Sequence, residues 1–251
     1  MKAIIIAAGM GKRLRPYTED KPKCLIDICG KTILERQMEA LKANDINDFV
    51  VVKGYQQEKI NYPGLQYFIN DNYQNNNILN SLFYAEKAMG DEFITSYSDI
   101  LYDKSVVERL LATPGDISLV VDMDWQEYYQ GRTKHPIGEA ENVIITDGKI
   151  TKIGKHLTGN ESQGEFIGMA KFSRRGAEIL REEFKRVKEQ YSGKPFQRAA
   201  IFEKAYLTDM FQEIIDRGYD ICPALIQKNW WEIDTDEDLE KVNEIFKGRA
   251  L

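Results

Sequence analysis

The sequence predicts an α/β fold: a doubly wound, mostly parallel, Rossmann-like sheet with a small antiparallel hairpin or flap. Three observations carry this. Short apolar runs dense in β-branched residues alternate along the chain with segments of helical periodicity. The first of these runs, Lys2 to Ala8, breaks directly into a loop holding Gly9 and Gly11. Later, Asp147-Gly148 joins two short strand-like runs, which is a hairpin signal. At 251 residues the chain is long enough for one large domain with a full core, and a single domain over 1–251 is expected, with the flap at about 122–165.

Taken in order, Lys2 to Ala8 is too short for a helix and reads as a strand buried on both faces. Thr32 and Glu35 stand in capping-box positions before Ile33, Leu34, Met38 and Leu41, so a helix is expected to about Ala43. Phe49 to Val52 forms the next strand, completing a βαβ unit with parallel strands and a right-handed crossover. Leu65 to Ile69 is a third strand and ends in a polar run from Asn70 to Asn77. So many amides cannot lie in a core strand, where each would need several hydrogen-bond partners, and the run belongs to a loop. Leu82 to Met89 reads as a helix, Glu92 to Ser98 as a strand, Val106 to Leu111 as a helix stopped by Pro114-Gly115, and Ile117 to Val121 as a strand.

From Asp122 the character changes, with Trp125, Tyr128, Tyr129, Arg132, Lys134 and His135 clustered before the hairpin Asn142 to Thr146 and Lys149 to Ile153. Antiparallel strands here would stand as a flap beside the sheet. Ala177 to Gln190 reads as a solvated surface helix. Phe196 to Arg217 carries a helix ended by Gly218, and Tyr219 to Leu225 a short strand.

Composition narrows the function. A formal charge of −6, with no basic patch beyond the first loop, argues against a nucleic-acid surface. No apolar segment approaches a membrane span and the N-terminus is strand-like, so a cytoplasmic protein is expected. Cys24, Cys29 and Cys222 lack metal-ligand spacing and read as reduced thiols. His135 and His156 are the only histidines, which leaves little material for a histidine-based metal site or a catalytic triad.

The chemistry concentrates where the first strand ends. Gly9 and Gly11 permit close backbone approach, and Lys12, Arg13 and Arg15 come directly after, so main-chain N–H groups and positive charge converge as a polyphosphate requires. Two known phosphate loops are excluded by spacing: Leu14 stands where a dinucleotide fingerprint needs its third glycine, and no Gly-Lys-Ser or Gly-Lys-Thr comes after it. The ordered set Gly9, Gly11, Arg13, Leu14, Pro16, Thr18, Pro22 and Lys23 instead resembles the signature of sugar-phosphate nucleotidyltransferases and their cytidylyltransferase relatives. Asn77, Ser81 and Leu82 resemble a further element of the phosphocholine and phosphonate cytidylyltransferases. Glu232, Ile233, Asp234, Thr235, Asp238 and Leu239 resemble the family's closing element.

The resemblance implies roles. Ala7, Ala8, Gly9, Met10, Gly11, Lys12, Asn77, Ser81 and Ser98 would bind the nucleotide, and Arg13 and Lys23 would be catalytic, Lys23 also holding the acceptor's phosphoryl group. Asp99 and Asp234 would hold Mg²⁺, the implied cofactor. Read from the residues alone, Asp99 could equally cap the helix near Lys104 or turn with Asp103, and Asp234-Thr235 could cap the last helix. Arg132, His135, Glu165 and Trp231 would contact the acceptor, with Trp230 and Trp231 either lining a cation–π site or packing beneath the flap.

The middle segment, Gly131-Arg132-Thr133-x-His135-Pro136 with a Lys155-His156 pair and Gly164-Glu165-Phe166-Ile167-Gly168, more closely resembles phosphonate cytidylyltransferases such as those acting on 2-aminoethylphosphonate. The implied reaction joins CMP from CTP to a small phosphonate or phosphomonoester, with no nucleic acid or membrane partner. Phosphocholine and sugar 1-phosphates are the alternative acceptors, a catalytically silent nucleotide-binding subunit is the alternative class, and the hairpin is the segment a homodimer would use.

Overall fold

The computed structural model describes residues 1–157 and 162–248. Among them a nine-stranded sheet forms the centre. Its parallel core places Lys2–Ala7 between Asp48–Lys53 and Phe93–Tyr97, with Ile4 opposite Val50 and Thr95, and Gln66–Ile69 lies on the far side of Asp48–Lys53. Alternation decides the layers. Ile4, Ile6, Val50 and Val52 face one core, which the helices Ile78–Phe83, Arg174–Tyr191 and Leu207–Asp216 cover, while Ala3, Ile5, Ala7 and Val51 face another under Ile33–Lys42 and Lys104–Ala112. The capping box predicted at Thr32 and Glu35 forms: Glu35 N donates to Thr32 Oγ1 at 3.2 Å and Thr32 N to Glu35 Oε2 at 2.7 Å.

The predicted hairpin forms at the expected residues, Asn142–Thr146 and Lys149–Gly154, with Asp147 and Gly148 at φ 51° and 76° as a tight hairpin turn requires. Its place differs from expectation. Instead of standing beside the sheet it extends it, through the pairs of Gly164 with Val143 and Glu165 with Asn142. Hydrogen bonding to the long strand Gly164–Phe172 satisfies an edge that a free flap would leave open. Other boundaries shift for local reasons. The helix expected over Leu82 to Met89 starts earlier, at Ile78, because Asn77 accepts from Ile78 N at 2.9 Å as its cap, and a 3₁₀ turn succeeds it at Glu86–Ala88. The last sheet strand is Cys222–Ile226, set by its parallel pairing with Ile117–Asp122.

The strand Gly164–Phe172 runs antiparallel to both Phe93–Tyr97 and Ile117–Asp122 and so joins the two halves of the sheet. Its register breaks between Phe166 and Ala170, where Gly168 takes φ 88°. A Cβ there would lie 2.4 Å from Cδ2 of Tyr97, so only glycine lets the Tyr97 ring cross the strand. A two-stranded ribbon not foreseen in the sequence pairs Ile100–Tyr102 with Trp230–Glu232. No helix among the described residues is long and apolar enough to cross a membrane.

Gly168→Ala combines a disfavoured φ with an overlap against a ring and should lower unfolding free energy by about 1–3 kcal/mol. Denaturant titration measures this, and an unchanged midpoint would mean that the strand has another way to seat Tyr97.

Candidate active site

The loop after the first strand is built to present charge. Gly11, at φ 58°, has its carbonyl fixed by Thr18 Oγ1 at 2.8 Å and Leu14 N at 3.0 Å, and a Cβ there would press on Thr18 at 3.1 Å. Leu14 is buried against Ile26, Ile28 and Ile33, and Arg13 beside it donates to Asp234. Lys23 stands in a 3₁₀ turn farther on and is buried. Its ammonium donates to Asp99 Oδ2 at 2.9 Å and to Asp234 Oδ1, so one cation bridges two carboxylates separated by more than half of the chain.

Two devices hold those carboxylates in place. Gln37, buried on the helix Ile33–Lys42, donates to the carbonyls of Tyr97 and Ile100, each at 2.7 Å, and pins the chain on both sides of Asp99. The Ile100–Tyr102 ribbon then carries Asp234 to the same point, where Ile233 N donates to Asp99 O at 2.9 Å. The helix-capping alternative fails for Asp99, and in Asp234-Thr235 it holds for Thr235 alone. Asp103 occupies the cap position before Lys104, and Asp99 Oδ1 is buried with no hydrogen-bond partner. Thr235 and Asp238 cap the last helix, and the Asp234 side chain is left to the site.

Two cavities meet at this cluster. The larger, about 380 Å³, is lined by Ala8 to Arg13, Lys23, Tyr73, Asn76, Asn77, Ser81, Tyr97, Ser98, Asp99 and Asp234. The smaller, about 240 Å³, shares Arg13, Asn77, Tyr97, Asp99 and Asp234 and adds His135, Glu139, Glu141, Lys155, Glu165, Tyr206, Trp230 and Glu232.

Known proteins of similar sequence and of similar structure point the same way. Residues 3–158 match the MobA-like NTP transferase domain. A CTP:phosphoglutamine cytidylyltransferase of Campylobacter jejuni is 32% identical over 254 residues, covering 96% of this chain and 98% of its relative. The chain belongs to the MobA-like NTP transferase family. A choline-phosphate cytidylyltransferase of Streptococcus pneumoniae is 37% identical over 106 residues, or 41% of this chain and 46% of that protein. The solved CTP:phosphocholine cytidylyltransferase LicC of S. pneumoniae superposes with TM-score 0.73 at 24% identity over 98% of both chains, and the inositol-1-phosphate CTP transferase of T. maritima with 0.75 at 23% over 100% and 98%; both show the same fold.

Around this cluster, most of the residues singled out in the sequence come together. Ala8, Gly9, Met10, Gly11, Lys12, Asn77, Ser81 and Ser98 line the larger cavity, whereas Ala7 is buried in the first strand and does not. Arg132 reaches neither cavity. Its guanidinium donates to Glu232 Oε2 at 3.2 Å and Asp238 Oδ2 at 2.9 Å and lies 5.0 Å from the ring centres of Tyr128 and Tyr129, so it braces the wall from behind. Trp231 also leaves the site: it packs edge-on to Phe246, 5.3 Å between ring centres. Alternation along Trp230–Glu232 turns Trp230 and Glu232 to the cavity instead, and Trp230 Nε1 donates to Asp122 Oδ2 at 2.8 Å. His135 does reach the centre, with Nδ1 3.1 Å from Asp234 Oδ2. His135, Glu232 and Asp234 together offer ligand atoms within 4.8 Å of one another, a group of potential metal ligands that a count of histidines did not anticipate. Lys155, of the Lys155-His156 pair, also lines the smaller cavity, whereas Tyr97, Glu141 and Tyr206 were missed, because they come from three separate segments without a shared motif.

Burial and pairing set the charges. Burial alone would lower Lys23, but Asp234 and Asp99 more than reverse it and hold the ammonium above the usual lysine range. Burial would raise Asp234, yet Lys23, His135 and Arg13 keep it well below the usual carboxylate range. Farther into the smaller cavity burial wins: Glu232 is raised well above its ordinary value, Glu141 is pushed up to about 7 and Glu165 to about 8.

Because Glu141 and Glu165 bind protons more tightly folded than unfolded, the native chain holds the extra protons between pH 4.5 and about 8. Stability should therefore fall as pH rises through that window. Thermal unfolding of the ligand-free protein at pH 5 to 8 tests this. Glu165→Gln should flatten the profile, and a profile parallel to wild type would remove Glu165 as its source.

Proposed function

We propose that the chain transfers CMP from CTP to a small phosphonate or phosphomonoester, releasing pyrophosphate. The observation that carries this is the Lys23 ammonium, held between Asp99 and Asp234 where the two cavities join. The larger cavity, walled by the glycine loop, suits a nucleoside triphosphate, and the smaller one an acceptor. The names of relatives that use CTP support the donor.

In this reading an anionic oxygen of the acceptor attacks the α-phosphorus of CTP. The bond from that phosphorus to the bridging oxygen breaks, and the electron pair leaves with pyrophosphate. The attacking oxygen is already deprotonated at neutral pH, so no general base is needed and catalysis consists of positioning and charge neutralisation. Loop amides from Ala8 to Gly11, with Arg13, hold the phosphates and the leaving group. Lys23 holds the acceptor's phosphoryl or phosphonyl group and offsets charge at the α-phosphate.

Asp99 and Asp234 would hold Mg²⁺: both are hard oxygen ligands beside the triphosphate cavity and the buried Asp99 Oδ1 has no other partner, while Lys23, now bridging Asp99 Oδ2 and Asp234 Oδ1, would share these carboxylates with the ion. When bound, the ion would supply further neutralisation of phosphate charge. The preferred acceptor is a small phosphonate such as 2-aminoethylphosphonate. The runner-up is phosphocholine, favoured by the rings of Tyr97, Phe166, Tyr206 and Trp230 around the smaller cavity.

A pyrophosphate-release screen of the four NTPs against 2-aminoethylphosphonate, 2-hydroxyethylphosphonate, phosphocholine and glucose 1-phosphate tests this, with turnover expected for CTP and a phosphonate. Turnover with CTP and phosphocholine alone would move the acceptor to phosphocholine. Lys23→Ala, Asp99→Asn and Asp234→Asn should each lower kcat by roughly 100-fold or more, with excess Mg²⁺ restoring the aspartate variants only in part. A near-normal rate in any of them would remove that residue from the reaction.

A further inference from the structure

The larger cavity has two unlike ends. Lys12, Arg13, Lys23, Asp99 and Asp234 supply all of its charge, whereas Tyr73, Asn76, Asn77, Ile78 and Ser81 make a neutral wall of amides, hydroxyls and apolar groups. In the cytidylyl-transfer reading the charged end takes the triphosphate, which leaves the neutral wall for the nucleoside.

A residue outside the cavity fixes the polarity of that wall. Asn70 is fully buried just past the strand Gln66–Ile69, and its backbone N–H donates to Lys53 O at 2.7 Å. The amide side chain is saturated. Its Nδ2 donates to Asn76 Oδ1 and to Ser81 Oγ, each at 2.8 Å, while its Oδ1 accepts from Asn76 Nδ2 at 3.0 Å and from Asn72 N at 3.1 Å. A backbone N–H can only donate, so Asn72 decides which end of the Asn70 amide is oxygen.

The remaining assignments come from that one. Asn76 has to turn its oxygen to Asn70 Nδ2 and its nitrogen to Asn70 Oδ1, because a flip would set donor against donor and acceptor against acceptor. Ser81 receives a hydrogen from Asn70 and sends its own to Asn77 O at 3.0 Å, so only acceptor capacity is left on its oxygen. Fixed polarity matters to one part of a nucleoside. A ribose hydroxyl rotates its hydrogen to suit either kind of partner, but cytosine presents an amino donor where uracil presents a carbonyl acceptor.

We propose that Asn70 is a positioning residue that sets the base selectivity of the larger cavity. It never touches the nucleotide, and it acts by holding Asn76 and Ser81 in a polarity that suits cytosine and opposes uracil. This rests on the cytidylyl-transfer reading for the end of the cavity that the base takes. Without Asn70, the Asn76 amide is free to flip and the Ser81 hydroxyl to rotate, and the wall meets either pyrimidine.

The test is calorimetric titration of the full chain, with Mg²⁺ and no acceptor, by CTP, UTP and dCTP. Wild type should bind CTP roughly 10- to 100-fold tighter than UTP. Asn70→Ala, its folding checked by thermal unfolding, should bring that preference to within about threefold and leave the ratio of CTP to dCTP within about twofold of wild type. A cavity that is merely loosened would weaken all three nucleotides in proportion. Equal binding of CTP and UTP by wild type, a preference retained in folded Asn70→Ala, or a proportional loss on all three would each overturn the proposal.

Should Asn70→Ala fold poorly, Asn76→Ala at a half-buried position carries the test, and an unchanged preference for CTP there would also overturn it. Pyrophosphate release on adding the acceptors separates the two readings. A CTP preference that depends on Asn70 without turnover of any acceptor would sink cytidylyl transfer and spare the role of Asn70. Turnover with CTP alongside an undiminished preference in folded Asn70→Ala would do the reverse.

Discussion

The bridge from the Lys23 ammonium to Asp99 and Asp234 is the constraint on which the rest of the site depends. Three charges close to one point and largely withdrawn from water are tolerable only if each is paired, since removing one partner strands the others in a medium that solvates them poorly. Lys23 arrives from the loop after the first strand, Asp99 from the end of Phe93–Tyr97, and Asp234 from the far end of the chain. Their meeting ties the first loop, the sheet and the last helix into one electrostatic unit, and the two cavities open to either side of it.

That unit is supported by groups that never reach a cavity. Gln37 fixes the carbonyls flanking Asp99, and the Trp230–Glu232 ribbon brings Asp234 into register with it. Arg132 sits behind Glu232 and Asp238, where its planar fork engages two carboxylates and its face lies against tyrosine rings. Such residues carry charge or amide groups that look catalytic in a sequence, yet in the structure they act by holding others still.

The two cavities differ in the direction in which environment moves their acids. Close to Lys23 and Arg13, pairing overcomes burial and Asp234 stays ionised; farther in, burial overcomes pairing and Glu141 and Glu165 are pushed toward neutrality. Side chains of one chemical type are thus set to opposite tasks by what stands opposite them. The strand Gly164–Phe172 makes this possible, because its irregularity at Gly168 lets Tyr97 cross between the cavities while Glu165 lines the smaller one.

Local spacing alone dictates several features of this protein: the alternation of apolar runs with amphipathic helices, the capping box at Thr32, the Asp147-Gly148 hairpin, and the family legible in the loop Gly9 to Lys23. Each is a short-range pattern whose physics is complete within a few residues. Long-range register, which exists only in the folded chain, settled the remainder. It sent Trp231 to the core and Trp230 to the cavity, placed Arg132 behind the wall, joined the hairpin to the sheet, and assembled Tyr97, Glu141, Lys155 and Tyr206 from unrelated segments. A one-residue change of strand phase reverses which side chains face a ligand, and no local pattern records it.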